Sequence, residues 1–527
     1  MSNKRLIKST SGVSLATSVS RILGFIRDVL IANFFGTNVF AEAFVVAFRV
    51  PNLLRDLVGE GAANAAFVPV LTEYHTRRSE KEFWNLAREL LSIVAIILFG
   101  ITVIGIFSAP IIVRLIAPGF IDDPSKLAIT VKLTRVMFPF IFLVGMTAYG
   151  MGVLNSLHHF SVPALGPVFL NIAMILALLY VCPRVGVIGL ALAVLVGGVL
   201  QVVSLGFVLH KKGLRLAPTA IAASKNRERG YAHPAIKRIW KLLIPRIFGS
   251  AVYQISVIVD NIFSTFAWIV GAGGPAALWY AYRLFHLPLA IFGIALATVA
   301  LPKMSMEVAK RDINALKETI NFSLRAVFLL LIPATVGLAI LGNPIIRILF
   351  ERGEFTSYST YITSSALFFY SIGLFACGGI KILVNSFFSL GDTRTPVKVA
   401  SISLVINLVL NASLMWSLKI GGLALATSIA AISNFAMLYI LLVKKIGDID
   451  TKRILGSFGR VATASIFMGA FAYVSGTFLE GLNYGIVFNI GAILAVILLS
   501  IVIYTLLGVI LGIDEIKDFF GWIFKRR

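Results

Sequence analysis

The stretch Ser20–Asp56, SRILGFIRDVLIANFFGTNVFAEAFVVAFRVPNLLRD, decides how the rest of the chain is interpreted. It predicts two long apolar helices joined by a turn at 36–38, yet both helices contain charged residues. Charged groups at membrane depth are costly, and they usually face the interior of a helix bundle or a water-filled cavity. We therefore expect these two helices to line a polar cavity, and the remaining helices to support it.

The composition is that of a polytopic membrane protein. The chain has 527 residues, of which 58% are hydrophobic and 13% charged, and its mean hydropathy is +0.93. A soluble chain of this length would divide into several domains with far more polar surface. Apolar runs of about twenty residues, long enough to cross a bilayer, recur from end to end. The expected fold class is an all-α polytopic membrane protein.

Fourteen candidate membrane spans can be counted along the chain. They lie near residues 12–34, 40–70, 90–116, 133–157, 161–182, 187–209, 243–270, 278–301, 321–342, 361–388, 397–417, 420–443, 457–478 and 484–512. The expected organisation is an N-terminal six-helix lobe (1–210), a basic cytoplasmic linker (211–241), a C-terminal six-helix lobe (242–445), and two extra helices with an interfacial tail (446–527).

Most basic residues fall in alternate loops. The net charge of +23 would also suit a nucleic-acid-binding protein, but there the basic residues gather on one face or in a compact motif. With the N-terminus inside, the inner segments collect about 32 of the 47 Lys and Arg residues and the outer segments about 8. This positive-inside pattern predicts cytoplasmic termini and an even number of spans, and it excludes nucleic acid as a partner.

The sequence also repeats itself at an offset of about 233 residues. Gly189-Leu-Ala-Leu-Ala193 returns as Gly422-Leu-Ala-Leu-Ala426, and Pro110-Ile-Ile-Val-Arg114 returns as Pro344-Ile-Ile-Arg347. Because each repeat contains six spans, the two lobes would share one orientation and be related by an axis along the membrane normal. Transporters commonly bind their substrate between such repeats.

Basic side chains outnumber acidic ones at the expected cavity. Arg21 and Asp28 are seven residues apart and therefore share one face of the first span, and Arg283 is the basic residue of the eighth span. Guanidinium groups suit bidentate recognition of phosphate or carboxylate, so the predicted substrate is an anion, most readily a phosphorylated one. The structural alternatives are ion pairs between helices and snorkelling of Arg283 to the interface. The predicted substrate-binding residues are Arg21, Arg27, Asp28, Glu42, Arg55 and Arg283.

A second polar set is expected deep in the second half of the chain. An isolated Asp with amide and hydroxyl oxygens could coordinate a hard cation such as sodium. Hydrogen bonding between helices is the alternative interpretation. The residues of this set are Asp260, Asn407, Asn411 and Thr427.

Catalytic signatures are missing from the sequence. It contains no Gly-Lys dipeptide, hence no Walker A loop, and no Ser/His/Asp or Cys/His set. Cys182 and Cys377 stand in apolar surroundings without CxxC spacing, which argues against a disulfide or a zinc site. We therefore expect a transporter and not an enzyme. It would require no cofactor and be driven by membrane potential, an ion gradient such as sodium, or downstream consumption of its substrate.

Six short motifs are spread along the chain. They are Ser20–Asp28 (SRILGFIRD), Ala43–Arg55 (AFVVAFRVPNLLR), Glu60–Ala62 (EGA), Ala66–Pro69 (AFVP), Ala117–Phe120 (APGF) and Thr393–Lys398 (TRTPVK). These motifs resemble those of the MurJ/MviN lipid II flippases, and the similarity covers essentially the whole chain. The resemblance implies the multidrug/oligosaccharidyl-lipid/polysaccharide exporter fold, in which two six-helix lobes face a central cavity and two further helices follow.

The resemblance also implies a function. Members of the family flip lipid II, the undecaprenyl-pyrophosphate-linked disaccharide pentapeptide, from the cytoplasmic to the periplasmic leaflet of the bacterial inner membrane. The implied partners are lipid II, membrane lipids, and cell-wall synthesis or divisome proteins. The family arginines needed for transport correspond to Arg21, Arg27, Arg55 and Arg283, and Asp28 is their acidic partner on the first span.

Three positions depart from the family pattern. Relatives often have an Asp where this chain has Glu42, so the charge is kept while its reach is longer. Some have an Asp where this chain has Tyr282, beside Arg283. The family's proposed sodium site corresponds to Asp260, Asn407, Asn411 and Thr427, and Asn411 replaces a carboxylate found in some members.

The residues alone leave three other functions open. A cation-coupled drug exporter of the same superfamily would need cavity acids, whereas the predicted cavity is net basic. In a non-transporting scaffold for cell-wall enzymes the cavity arginines would be dispensable. A flippase for another polyprenyl-linked glycan would need the same arginines, because they recognise phosphate and not sugar.

Overall fold

The computed structural model describes residues 3–55, 63–214, 234–480 and 485–516, and all regular structure within these ranges is helical. The expected all-α class is therefore confirmed. The chain divides into two compact units, Met1–Ile262 and Phe263–Arg527, here called the N-terminal and C-terminal units. Most of the predicted linker (215–233) and most of the predicted tail (517–527) lie outside the described residues.

The N-terminal unit is built from helices α1 to α10. They are α1 (Asn3–Phe35), α2 (Val39–Leu54), α3 (Ala63–Arg77), α4 (Glu80–Ile116), α5 (Pro124–Met137), α6 (Pro139–Ser156), α7 (Ser161–Tyr180), α8 (Cys182–Val185), α9 (Val187–Lys212) and α10 (Pro234–Ser264). The turn predicted at 36–38 is present, and the Asn38 side chain caps α2 by accepting hydrogen bonds from the N–H groups of Phe40 and Ala41. α1 packs on α7, and α2 packs on α5.

The C-terminal unit contains the remaining helices. They are α11 (Ala267–Val270), α12 (Gly274–Pro288), a π-helical segment (Leu289–Ile294), α13 (Ala295–Ala309), α14 (Ile313–Phe350), α15 (Ser357–Ile372), α16 (Leu374–Ser389), α17 (Arg394–Leu418), α18 (Ile420–Ile446), α19 (Thr451–Glu480) and α20 (Ile486–Ile510). The π-helical segment directly follows Pro288, whose missing N–H interrupts the regular helical hydrogen bonds. α17 packs along α18, and α14 packs along α19.

Within the described ranges, ten helical stretches are long and apolar enough to cross a membrane. Counting α15 and α16 as one span, bent by 44° at Gly373, gives eleven. A side chain at Gly373 would meet Ser428 Cα at 2.8 Å, so the close approach of α18 requires glycine there. The three predicted spans outside this count fall on α1, on α2 with α3, and on α10. The chain is a multi-span membrane protein, and the number fourteen and the repeat offset stay predictions.

Candidate functional site

A buried arginine lies in the second half of α1. Arg27 is 7% exposed and Asp28 is 2% exposed. Arg27 donates to Asp28 Oδ1 through Nε at 3.0 Å and through Nη2 at 2.7 Å. Its Nη1 donates to Asn171 Oδ1 on α7 at 2.8 Å, and Asn171 Nδ2 donates to the Ser20 carbonyl at 3.0 Å. Three of the five guanidinium N–H groups are used in these bonds, which fix the orientation of the side chain.

The other two arginines predicted in the N-terminal unit are less enclosed than Arg27. Arg21 is exposed on α1, two turns before Asp28. Arg55 is half-buried at the end of α2, where its backbone N–H donates to the carbonyls of Pro51 and Asn52.

Glu42 has a partner that the sequence did not suggest. Its Oε2 lies 2.5 Å from Lys126 Nζ on α5, and the two residues are 2% and 6% exposed. Lys126 Nζ also lies 4.2 Å from the centre of the Phe120 ring. In the sequence, Lys126 follows Asp123 and Pro124, a helix-start pattern typical of a surface loop, so nothing indicated a buried cation there. The ion pair joins α2 to α5.

The guanidinium of Arg283 lies in the C-terminal unit, on α12. Arg283 is exposed, and its Cζ lies 4.5 Å from the centre of the Trp279 ring, one helical turn earlier. A cation over an indole face is attracted by the ring quadrupole. Tyr282, which stands where some relatives have an Asp, instead packs against the rings of His286 and Tyr370. Trp279 thus packs against the guanidinium, and Arg283 stays exposed.

Three of the four residues of the predicted cation site lie together in the C-terminal unit. Asn411 Nδ2 donates to Asn407 Oδ1 at 3.1 Å, and Asn407 Nδ2 donates to Thr427 Oγ1 at 3.4 Å. The second of these bonds links α17 to α18. The fourth residue, Asp260, is half-buried on α10 in the N-terminal unit. In the described part of the chain, no group of three or more His, Cys, Asp or Glu residues is arranged to hold a metal ion.

One further cation lies within a helix of the C-terminal unit. Lys381 is exposed on α16, about 12 Å along the axis before the end of that helix. Its flanking residues are apolar, and the arginines considered for phosphate binding did not include it. Lys381 therefore joins Arg283 as a basic residue within an apolar helix of this unit.

Comparison with known proteins identifies the family. The family model described as lipid II flippase MurJ matches residues 31–496. A Vibrio cholerae protein named probable lipid II flippase MurJ is 34% identical over 526 residues, which is 98% of each chain. The lipid II flippase MurJ of Burkholderia cenocepacia is 35% identical over 443 residues, which is 84% of each chain.

Solved structures agree with this result. A lipid II flippase MurJ in an inward closed conformation superposes with a TM-score of 0.78 at 28% identity, covering 96% of this chain and 99% of that one. An inward-facing multidrug transporter of the MATE family gives a TM-score of 0.69 at 14% identity, covering 82% and 96%, and so shares the fold alone. With most of its length matched by the family model and relatives above 30% identity, the chain belongs to the MurJ family of lipid II flippases.

Proposed function

We propose that this protein moves lipid II from the cytoplasmic to the outer leaflet of a bacterial inner membrane by alternating access. Membership of the MurJ family supports this function. The observation that carries it is the placement of arginines on otherwise apolar helices, with Arg27 buried on α1 and Arg283 exposed on α12. Such cations suit the pyrophosphate of the cargo, while the polyprenyl chain stays in the lipid.

Each arginine would contact the head group in a different way. Arg27 is already oriented by Asp28 and Asn171, so its two remaining N–H groups can donate to an oxyanion with little loss of side-chain entropy. Arg283 is exposed and stacked on Trp279, so it can meet the pyrophosphate as a pre-positioned cation. Arg21 and Arg55 would add charge to the same head group. The two helices outside the repeat would form a groove for the polyprenyl chain.

The proposal also covers the driving force, the orientation of the chain in the membrane and the protein partners. The sequence has no ATPase motif, which favours membrane potential, a sodium gradient or downstream use of lipid II as the driving force. A sodium ion would be held by oxygens of Asp260, Asn407, Asn411 and Thr427. Both termini would be cytoplasmic, following the positive-inside pattern. Cell-wall synthesis and divisome proteins are the proposed protein partners.

The proposal is tested by reconstituting the purified protein in vesicles with labelled lipid II and measuring how much label reaches the opposite leaflet. The intact protein should move lipid II, whereas Arg283→Gln should not. A second set of vesicles with a different polyprenyl-linked glycan tests the choice of cargo. Equal transport of both lipids would contradict lipid II specificity, and transport of neither would contradict flipping.

A further inference from the structure

Two exposed tryptophans form a pair at one end of the C-terminal unit. Trp268 lies on α11 and Trp416 lies near the end of α17, and their ring centres are 5.6 Å apart in an edge-to-face arrangement. The two residues are 66% and 62% exposed. The contact joins the two helices, but it leaves most of the surface of both rings uncovered by the protein.

The tryptophan pair lies at a membrane boundary. α17 is long and apolar enough to cross a membrane, and it ends at Leu418. From Arg394, the first residue of that helix, to Trp416 the axis runs for about 33 Å, which is roughly the thickness of the hydrocarbon core. Trp268 directly precedes the apolar stretch that begins at Gly274. Both rings therefore flank the same boundary, opposite to the one at Arg394.

Lys419, between α17 and α18, has a backbone conformation that glycine normally supplies. Its φ is 53° and its ψ is −130°, a combination that residues with a side chain rarely adopt. Gly186 holds the corresponding place in the N-terminal unit, with φ 69° and ψ −152°, and both residues stand three places before the recurring Gly-Leu-Ala-Leu-Ala sequence. A side chain at Gly186 would meet no atom within 4 Å, so conformation and not space favours glycine there. A lysine kept in such a conformation points to a use for its side chain.

The polar groups at this boundary are open to a partner from outside the chain. Lys419 is exposed, and its ammonium group makes no hydrogen bond or ion pair within the part of the chain that the structure describes. In the same part, neither Trp268 nor Trp416 donates its indole N–H to an acceptor. One cation and two N–H donors thus accompany the two apolar ring surfaces at the end of α17.

We propose that Trp268, Trp416 and Lys419 form an anchor for phospholipid head groups at this membrane boundary. Tryptophan concentrates where hydrocarbon meets water, because its ring is apolar while its N–H needs an acceptor. The phosphate of a phospholipid supplies that acceptor and a negative charge for Lys419. The anchor holds the turn between α17 and α18 and the start of the C-terminal unit at a fixed depth. In the orientation proposed above this boundary is the outer leaflet, and only that assignment rests on the proposed function.

The depth of the pair is tested with the full-length protein in bilayers whose phospholipids carry bromine near the head group or near the end of the acyl chain. Quenching of tryptophan fluorescence is compared between the wild type and Trp268→Phe/Trp416→Phe. Since the double variant lacks two of the six tryptophans, it should lose roughly a third or more of the quenching by bromine near the head group, and little of the quenching at the chain end. Trp279→Phe, at a buried tryptophan of the same unit, should lose neither.

The charge and the backbone of Lys419 are tested separately. The apparent affinity for phosphatidylglycerol is measured from the rise in unfolding temperature when the lipid is added to the protein in detergent. It should fall roughly fivefold in Lys419→Gln and little in Lys419→Arg. Lys419→Gly should bind as weakly as Lys419→Gln, yet unfold about 1–3 °C above the wild type without lipid, because glycine relieves the backbone strain. Lys310→Gln, at another exposed lysine between helices of this unit, should keep the wild-type affinity.

Three results would overturn the inference. In the first, the double tryptophan variant loses no quenching, or loses it equally at both bromine positions. In the second, Lys419→Gln keeps the wild-type affinity, or Lys310→Gln loses as much. In the third, phosphate-free diacylglycerol raises the unfolding temperature as much as phosphatidylglycerol does. Transport of lipid II by the wild-type protein in vesicles reports on the proposed function independently of these results.

Discussion

Glu42 on α2 and Lys126 on α5 form a buried ion pair, with Oε2 and Nζ 2.5 Å apart. Each charge is stable in this apolar setting because the other compensates it. Removing one partner of a buried pair leaves an uncompensated charge and costs about 3–5 kcal/mol, whereas replacing both can be nearly neutral. The acidic residue of the second span therefore holds two helices together, whatever it contributes to the cargo.

The first prediction concerns this pair. Lys126→Met should lower the free energy of unfolding by about 3 kcal/mol, and the double variant Glu42→Gln/Lys126→Met should recover most of that loss. The measurement is thermal unfolding of the purified protein in detergent. Lys132→Met is the control, since Lys132 is exposed on the same helix. A double variant no more stable than Lys126→Met would argue that the two charges do not compensate each other.

The second prediction concerns the arrangement around Arg27. Arg27→Glu would place a second carboxylate beside buried Asp28, so we expect it to lose both stability and transport. Arg27→Lys keeps the charge but cannot make the two hydrogen bonds to Asp28 Oδ1 and the bond to Asn171 together. It should reduce lipid II transport at least tenfold with a loss of stability of about 1–2 kcal/mol.

The measurement for Arg27 is vesicle transport normalised to folded protein, alongside detergent unfolding. Arg21→Lys serves as the comparison for stability. Because Arg21 is exposed, this substitution should leave the free energy of unfolding nearly unchanged. If Arg27→Lys transports at the normal rate, a point charge is sufficient at this position and the planar guanidinium is not needed.

Arg283 provides the third prediction. Because it is exposed, Arg283→Gln should leave the unfolding temperature unchanged while abolishing transport. Trp279→Leu removes the ring beneath the guanidinium and should weaken transport several-fold, through loss of a cation–π contact of about 0.5–1 kcal/mol. Arg347→Gln, at another exposed arginine of the same unit, should have no effect on transport. Equal losses at Arg283 and Arg347 would point to general surface charge instead of a binding role.

The sequence was sufficient for the fold class and for the helices that carry the site, because apolar runs of membrane-spanning length and capping residues are local signals. It also gave the turn before α2, since Asn38 is a strong helix-capping residue. Pairings between distant segments were not accessible. Nothing local joins Glu42 to Lys126, or Arg27 to Asn171, because these contacts depend on how helices pack in three dimensions.

One predicted span and the predicted cation site differ in how the structure bears on them. α1 is not among the spans counted in the structure, although the apolar runs of the sequence include it. Arg21, Arg27 and Asp28 place three charged residues within a single span length there. Of the predicted set Asp260, Asn407, Asn411 and Thr427, only Asn407 and Asn411 share one helix face, and the structure brings these two together with Thr427 through hydrogen bonds.

The fourth prediction concerns the end of the C-terminal unit. Glu515, in the segment that follows α20, forms a buried ion pair with Arg325 of α14, and Arg325 Nε donates to Asn321 Oδ1 at 2.8 Å. Glu515→Leu should cost about 3–5 kcal/mol by leaving Arg325 buried without its counter-charge, and Arg325→Met/Glu515→Leu should restore much of it. Detergent unfolding measures both. Asp514→Leu, at the half-exposed neighbouring residue, should change stability little.

The fifth prediction is a pH dependence at the loop between α16 and α17. Lys445 Nζ donates to Asp392 Oδ2 at 2.6 Å, and this bond, with those from Thr395, holds the pKa of the Asp392 carboxyl well below its ordinary value of 3.8. A lowered pKa in the folded state means that the stabilisation is present above the ordinary pKa and is lost as the pH falls below it. The unfolding temperature of the wild type should therefore decrease when the pH is lowered below about 4, and that of Asp392→Asn should decrease less steeply.

Glu354→Gln, at an exposed loop carboxyl, should leave the acid dependence unchanged. Identical acid profiles for Asp392→Asn and the wild type would mean that the Lys445 pair contributes nothing to stability.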